Sequence, residues 1–248
     1  GEVFVTHDGL ETDQDLGHYE RFIGEELTKS NYATNGQIYK YILDKERSLD
    51  YKGECVQPYH HIPPEIIKRW ENAGREHTAD VVLVEMGGTV GEYEGLLFFE
   101  AARRIKLAKP GDICFVHVGY LPAPGNIGEL KSKPLQQSVY FLNTMGIQPD
   151  FIIGRASKEI DMKRKQKISL ASGVPLENII SSPDLDSVYK VPLKLDEQSF
   201  AELVIKKLNL KKGKKDLVSW KKLVNKIDSV KKKVKIAIVG KYQQTGDY

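Results

Sequence analysis

Acidic residues and glycines meet in this chain in patterns that suit phosphate chemistry. The apolar run Val81-Val82-Leu83-Val84 ends in Glu85 and continues, after Met86, into Gly87-Gly88-Thr89-Val90-Gly91. A carboxylate at a strand's end, beside backbone free of side chains, suits a Mg²⁺ ion. That ion takes one or two carboxylates and fills its shell with water and phosphate oxygens. A glutamate hydrogen-bonded to the turn that follows accounts for the same residues as well. Glu11, Asp13, Asp15 and Glu20 lie within ten residues without a lysine among them. Such a group repels itself unless a cation or solvent screens it. One of these acids as a Mg²⁺ ligand and a solvated acidic loop are both consistent with that. His18, in the same stretch, reads as a hydrogen-bonded structural group, because no second His or Cys stands beside it at zinc-ligand spacing.

Two basic clusters complement the acids. Gly128-Glu129-Leu130-Lys131-Ser132-Lys133-Pro134-Leu135-Gln136 forms a loop that opens into a helix at Pro134. Lysines there make an anion site, since the free N–H groups and the dipole of a helix start favour phosphate. Lys163-Arg164-Lys165-Gln166-Lys167 begins another helix. Cations at that end oppose the dipole by roughly a few tenths of a kcal/mol, which hints at a use for them. A solvated basic face is the alternative for either cluster. No G-x-x-x-x-G-K-[ST] phosphate loop occurs. Nothing supplies Cys55 with a base, and Cys114 falls in an apolar strand, so nucleophilic cysteine chemistry is not supported.

These residues need a frame to bring them together. Apolar β-rich runs at 2–6, 81–85, 113–121, 151–155 and 179–182 alternate with amphipathic patterns at 36–47, 64–74, 95–108, 134–145, 163–172 and 197–208. The run at 81–84 is apolar on both faces of a strand, as in a parallel sheet covered by helices on each side. The alternation predicts an α/β fold with a mostly parallel sheet flanked by helices. Ligands of such sheets sit outside the carboxyl ends of the strands, where this chain's loops are polar and glycine-rich.

The composition sets bounds on all of this. The 248 residues are 40% hydrophobic, enough for a full core and one or two domains. No apolar run reaches 18 residues and no signal peptide opens the chain, so no membrane partner is expected. Two cysteines predict a reducing, cytoplasmic setting. Between Lys206 and Lys235, 13 lysines face only Asp216 and Asp228, a net +11 against +3 for the chain, so the remainder carries −8. That segment has no arginine and a single aromatic, Trp220. It lacks the means for base readout or stacking, and reads as a solvated linker, not a nucleic-acid site. Gly1 stands where a strand is already under way, and the apolar run at 234–240 is a strand without a visible sheet. Both ends are expected to be cut.

Several ordered blocks resemble the CTP synthase family over nearly the whole chain. They are Gly1-Glu2-Val3-Phe4-Val5-Thr6, Asp8-Gly9, Glu11-Thr12-Asp13 and Asp15-Leu16-Gly17-His18-Tyr19-Glu20-Arg21-Phe22. They continue in Val82-Leu83-Val84-Glu85 with the glycine run, in Lys131-Ser132-Lys133-Pro134, in Gly146-Ile147-Gln148-Pro149-Asp150 and in Asp186-Ser187-Val188-Tyr189-Lys190-Val191-Pro192. The resemblance implies a P-loop NTPase-like amidoligase domain missing its first βα unit and inactive alone. Residues 1–208 would be that synthetase domain, 209–233 a lysine-rich linker, and 234–248 the first strand of a truncated glutaminase domain.

The resemblance also implies a reaction. ATP phosphorylates the uracil 4-oxygen of UTP, and ammonia derived from glutamine displaces the phosphate to give CTP. Mg²⁺ and lysines would neutralise the transferring phosphoryl oxygens. By position, Asp15 and Glu85 would hold Mg²⁺, and Asp15, Arg155, Pro183, Asp184 and Leu185 would serve ATP. Glu92, Tyr93, Glu94, Lys131, Ser132, Lys133, Pro134, Leu135, Gln136 and Lys167 would lie at the UTP and CTP sites, with Lys131 also catalytic. GTP would be an allosteric activator, and the assembly a homo-dimer or tetramer. The chain departs from the family pattern at Glu92-Tyr93, at Leu135 and Gln137, and at Ser48-Leu49, which bears on feedback inhibition by CTP. A non-catalytic nucleotide-binding or assembly module, and another ATP-dependent ligase of related fold, are the alternatives.

Overall fold

The computed structural model describes residues 3–125, 128–237 and 239. They fall into two compact units, one of the residues up to Met86 together with those from Lys232 on, the other Gly87–Lys231.

The first unit opens with an antiparallel pair, β1 (Val3–Val5) and β2 (Glu11–Asp13), in which Phe4 faces Thr12. The acidic stretch is therefore partly strand, and it runs straight into α1 (Asp15–Ile23). Gly17 lets α1 lie against β1, since a Cβ there would come within 2.7 Å of the Phe4 ring. Gly24 ends the helix at φ +79°, a conformation that costs glycine little. Helix α2 (Asn35–Arg47) begins with a reciprocal cap between Thr34 and Gln37. It packs on α3 (Pro58–Glu76), where Ile38, Ile42, Ile62 and Ile66 are buried. Each such side chain contributes roughly 1.5–3 kcal/mol.

The amphipathic pattern predicts this helix from residue 64. Pro58 occupies the first turn instead, and Pro63 and Pro64 lie inside the helix. The His61 ring nitrogen accepts the Gln57 N–H at 3.1 Å, and burial of Ile62 and Ile66 outweighs the backbone bonds that the two prolines cannot donate.

The expected strand at 81–85 does not form. Leu83 is 88% exposed, and Val81, Val82 and Val84 are exposed too. A strand exists only through a neighbour's backbone bonds, and no segment among the described residues supplies them to this one. The continuous apolar run, expected as a strand covered on both faces, does not specify a partner, and the expectation fails here.

The second unit carries a three-stranded parallel sheet in the order β3 (Val116–Leu121), β4 (Phe151–Ala156), β5 (Ile179–Pro183). Leu121, Ala156 and Pro183 stand side by side in one row, so all three strands release their chains at the same edge. Helix α4 (Leu96–Ala108) precedes the sheet, α5 (Lys133–Thr144) joins β3 to β4, and α6 (Met162–Ser172) joins β4 to β5. Ile152 sits in a buried cluster with Leu135 and Val139 of α5 and Ile168 of α6. Its neighbour Phe151 meets Phe200 edge-on at 5.5 Å. Consecutive strand residues point to opposite faces, so helices cover both. Helices α7 (Val191–Asp196) and α8 (Phe200–Lys207) follow the sheet. The block Gly146-Ile147-Gln148-Pro149-Asp150 ties this frame together. Gln148 donates to Ser172 O at 2.9 Å, Asp150 accepts the Phe115 N–H at 2.8 Å, and Lys207 pairs with Asp150.

The lysine-rich stretch read as solvated linker contains a helix, α9 (Val218–Ser229). Leu217, Trp220, Val224 and Ile227 make a stripe at helical spacing that the lysines obscure. Trp220 Nε1 donates to Tyr189 O at 2.8 Å, and Lys190 pairs with Asp228 at 2.7 Å. The strand expected at 234–240 lies partly, and 241–248 wholly, outside the described residues. Residues 234–237 are not in a strand. No described helix is long and apolar enough to cross a membrane.

Candidate active site

The two carboxylates that sequence reasoning singled out are both in the first unit and feel each other. Asp15 is the first residue of α1, fixed there by the buried Leu16 beside it and by Gly17 on Phe4. Glu85 is exposed as a residue, yet the protein around its carboxyl, and secondly the nearby charge of Asp15, push its pKa above the usual carboxylate range. A third group joins them. The Tyr32 hydroxyl donates to Asp13 at 2.8 Å, and its pKa is raised by burial, by that bond, and also by the charge of Asp15. Sequence reasoning missed Tyr32. It lies 17 residues from Asp15 on a connection with no periodic signal, and nothing local could have found it.

A carboxyl whose ionisation is opposed by a neighbouring charge, as at Glu85, offers a cation a gain on binding. Hard oxygen donors suit Mg²⁺ or Ca²⁺, and a protein share of one or two carboxylates is the Mg²⁺ pattern near phosphates. Among the described residues no group of three or more His, Cys, Asp or Glu could hold a metal, so a caged zinc or calcium site is not offered. The donor set fits Mg²⁺. Cys114 is half-buried and its thiol is pushed up to about 11, chiefly by burial, so it is not a nucleophile.

The other candidates lie in the second unit, most of them where the sheet's row Leu121, Ala156, Pro183 opens. After β3 the Lys131 N–H bonds to Pro122 O at 2.8 Å, and Lys131 Nζ lies 3.4 Å from Glu129. The Glu129 carboxyl is held below its usual range, first by that lysine. Ser132 precedes α5 and accepts a bond from Gln136 at 3.1 Å, while Lys133 and Pro134 are exposed on the first turn. Leu135 departs from the expectation. It is 1% exposed, in the core against Gly119, where a Cβ would approach its Cδ1 to 1.9 Å. Its side chain packs the sheet and is closed to a ligand.

After β4, Lys167 is exposed on the second turn of α6. Arg155 on β4 meets Asp184, just past β5, at 3.2 Å, and Asp184 N–H bonds to Ala156 O at 2.9 Å. Pro183 is buried and Leu185 exposed. Glu92 folds back over the glycine run, since a Cβ on Gly88 would lie 2.5 Å from its Oε2. Gly88 and Gly91 have φ of +86° and +102°, which only glycine takes readily. Tyr93 is 88% exposed. A cavity lined by Met162, Lys165, Leu176 and Gln198, among others, contains none of these candidates.

Comparison with known proteins gives a consistent result. Residues 1–210 match the family model described as CTP synthase N-terminus. Over its full length the chain is 46% identical to a CTP synthase of Caldanaerobacter subterraneus subsp. tengcongensis and 45% identical to one of Methanopyrus kandleri. It is also 45% identical, again over its full length, to one of Aquifex aeolicus. In each case it covers 46% of the relative, so the chain spans about half the length of the curated relatives it matches.

Proposed function

The chain belongs to the CTP synthase family, matching its N-terminal part, and from that premise we propose that the protein carrying it uses ATP to aminate UTP to CTP. The observation that carries this reading is the pairing of Asp15 with Glu85, distant in sequence yet close enough for one charge to act on the other.

In the proposed reaction uracil N3 gives up its proton to solvent, the 4-oxygen attacks the γ-phosphorus of ATP, and ADP leaves. Ammonia then attacks C4, loses a proton, and phosphate departs. When bound between Asp15 and Glu85, Mg²⁺ would neutralise charge on the phosphate oxygens. Lys131, Ser132, Lys133, Pro134 and Gln136 would receive the pyrimidine nucleotide at the start of α5, where free N–H groups favour its phosphates. For Leu135 only the backbone is available to that role. Lys167 would hold a phosphate from α6, as a mobile point charge. Arg155, Pro183, Asp184 and Leu185 would bound the adenine, the first and third already locked together. Glu92, Tyr93 and Glu94 would contact the pyrimidine nucleotide, Tyr93 offering an uncovered ring. We further propose a cytoplasmic homo-dimer or tetramer that takes ammonia from glutamine and is activated by GTP.

The test is to incubate the protein carrying this chain with UTP, ATP, Mg²⁺ and ammonium ion, and to quantify CTP and ADP. One ADP per CTP, and no CTP without ATP, is expected. ATP turnover that ignores UTP, or no CTP from folded protein, would overturn the proposal.

A further inference from the structure

We propose that Arg164 is a positioning residue for Lys131, tying the start of α6 to the loop 128–132 and sharing the Glu129 carboxylate that would otherwise capture the lysine. This rests on the reading of that loop as a nucleotide phosphate site. The Arg164 side chain is 15% exposed. Its Nε donates to Leu130 O at 2.7 Å, one terminal nitrogen pairs with Asp161 and the other with Glu129. Three acceptors around one planar cation suit a guanidinium and not an ammonium.

The neighbouring contacts reinforce the clamp. Asp161 caps α6 by accepting the Arg164 N–H at 2.9 Å. Lys158, on the same connection, grips Gly128 O. Leu130 is buried and the Lys131 N–H is bonded to Pro122 O. The loop backbone is thereby fixed, while the Glu129 and Lys131 side chains stay 56% and 42% exposed. Glu129 has two cations to choose from, Arg164 and Lys131. With Arg164 in place, Lys131 can exchange the carboxylate for a phosphate oxygen without leaving Glu129 unpaired. Without it, Glu129 pairs with Lys131 alone and competes with the incoming anion. An arginine at a helix start also acquires a reason here, since two carboxylates offset the unfavourable dipole.

The test is calorimetric titration of the protein carrying this chain with UTP, comparing wild type, Lys131→Ala, Arg164→Lys, Glu129→Gln and the double variant Arg164→Lys/Glu129→Gln. Arg164→Lys keeps the charge but loses the fork, and should weaken UTP roughly tenfold, as expected for loss of charge-assisted bonds. Removing the competing carboxylate should then recover most of that loss in the double variant, a rescue that mere structural damage would not give. Arg164→Gln is expected to repeat both the loss and the recovery. Unchanged affinity in Arg164→Lys, or a double variant no better than it, overturns the proposal. If Lys131→Ala weakens UTP while Arg164→Lys does not, only this proposal falls. If Lys131→Ala has no effect, the nucleotide reading of the loop falls with it.

Discussion

At the scale of single residues, the chain keeps an ionisable group in an unfavourable place. Glu85 has a pKa raised by its surroundings and by Asp15. A carboxyl whose folded pKa exceeds its unfolded value gives its full stability below the unfolded pKa, about 4.3 for Glu, and loses it as pH rises through the folded value. Ionised Glu85 therefore destabilises the fold relative to its protonated form. Glu85→Gln should melt above wild type at pH 7, with the gap closing below about pH 4, and Mg²⁺ should raise the wild-type midpoint but not the variant's. A wild type that melts above the variant at pH 7 without metal would contradict the assigned cause. Sites that destabilise the unliganded fold are a common cost of function. Asp15 and Glu85 stand out in sequence because each lies in a distinctive block. Tyr32 does not, because only tertiary proximity links it to them.

At the scale of elements, α5 is aimed by what lies beneath it. Leu135 fills the space over Gly119, and His117, buried on β3, bonds to Ser138 at 2.7 Å. Burial keeps His117 below its usual pKa, hence neutral at physiological pH. The first turn of α5, with its lysine loop, takes its place from these contacts. Gly119→Ala would drive a methyl into Leu135, and overpacking of this kind costs about 1–3 kcal/mol. In urea denaturation the variant should lose that stability, and adding Leu135→Ala should change its effect from additive to compensating. Strictly additive losses would show that the two residues do not share the space. Sequence reasoning placed α5 almost to the residue, but the family block at 131–136 does not say which of its side chains turn inward, as that of Leu135 does. Tertiary context likewise hid α9, whose apolar stripe is outnumbered by lysines, and the true start of α3 at Pro58, ahead of the amphipathic pattern at 64–74.

At the scale of the whole molecule, the parallel sheet flanked by helices was readable from the alternation of β-rich runs and amphipathic patterns, and β4 and β5, buried along most of their length, are its apolar centre. What alternation lacks is pairing. Residues 81–85 have a strand's composition and no partner among the described residues, and β2 forms from acids that carry no β signal, because β1 offers them backbone bonds. The proposed chemistry depends on the fold uniting two carboxylates seventy residues apart at one cation. Mn²⁺, which substitutes for Mg²⁺ at oxygen sites, reports such a union through its free-ion magnetic resonance signal. Titrated into the protein carrying this chain, it should bind a site that Asp15→Asn and Glu85→Gln each weaken by at least the roughly 10–100-fold that loss of an outer-shell partner costs. Equally tight Mn²⁺ binding by the variant lacking both carboxylates would contradict the account.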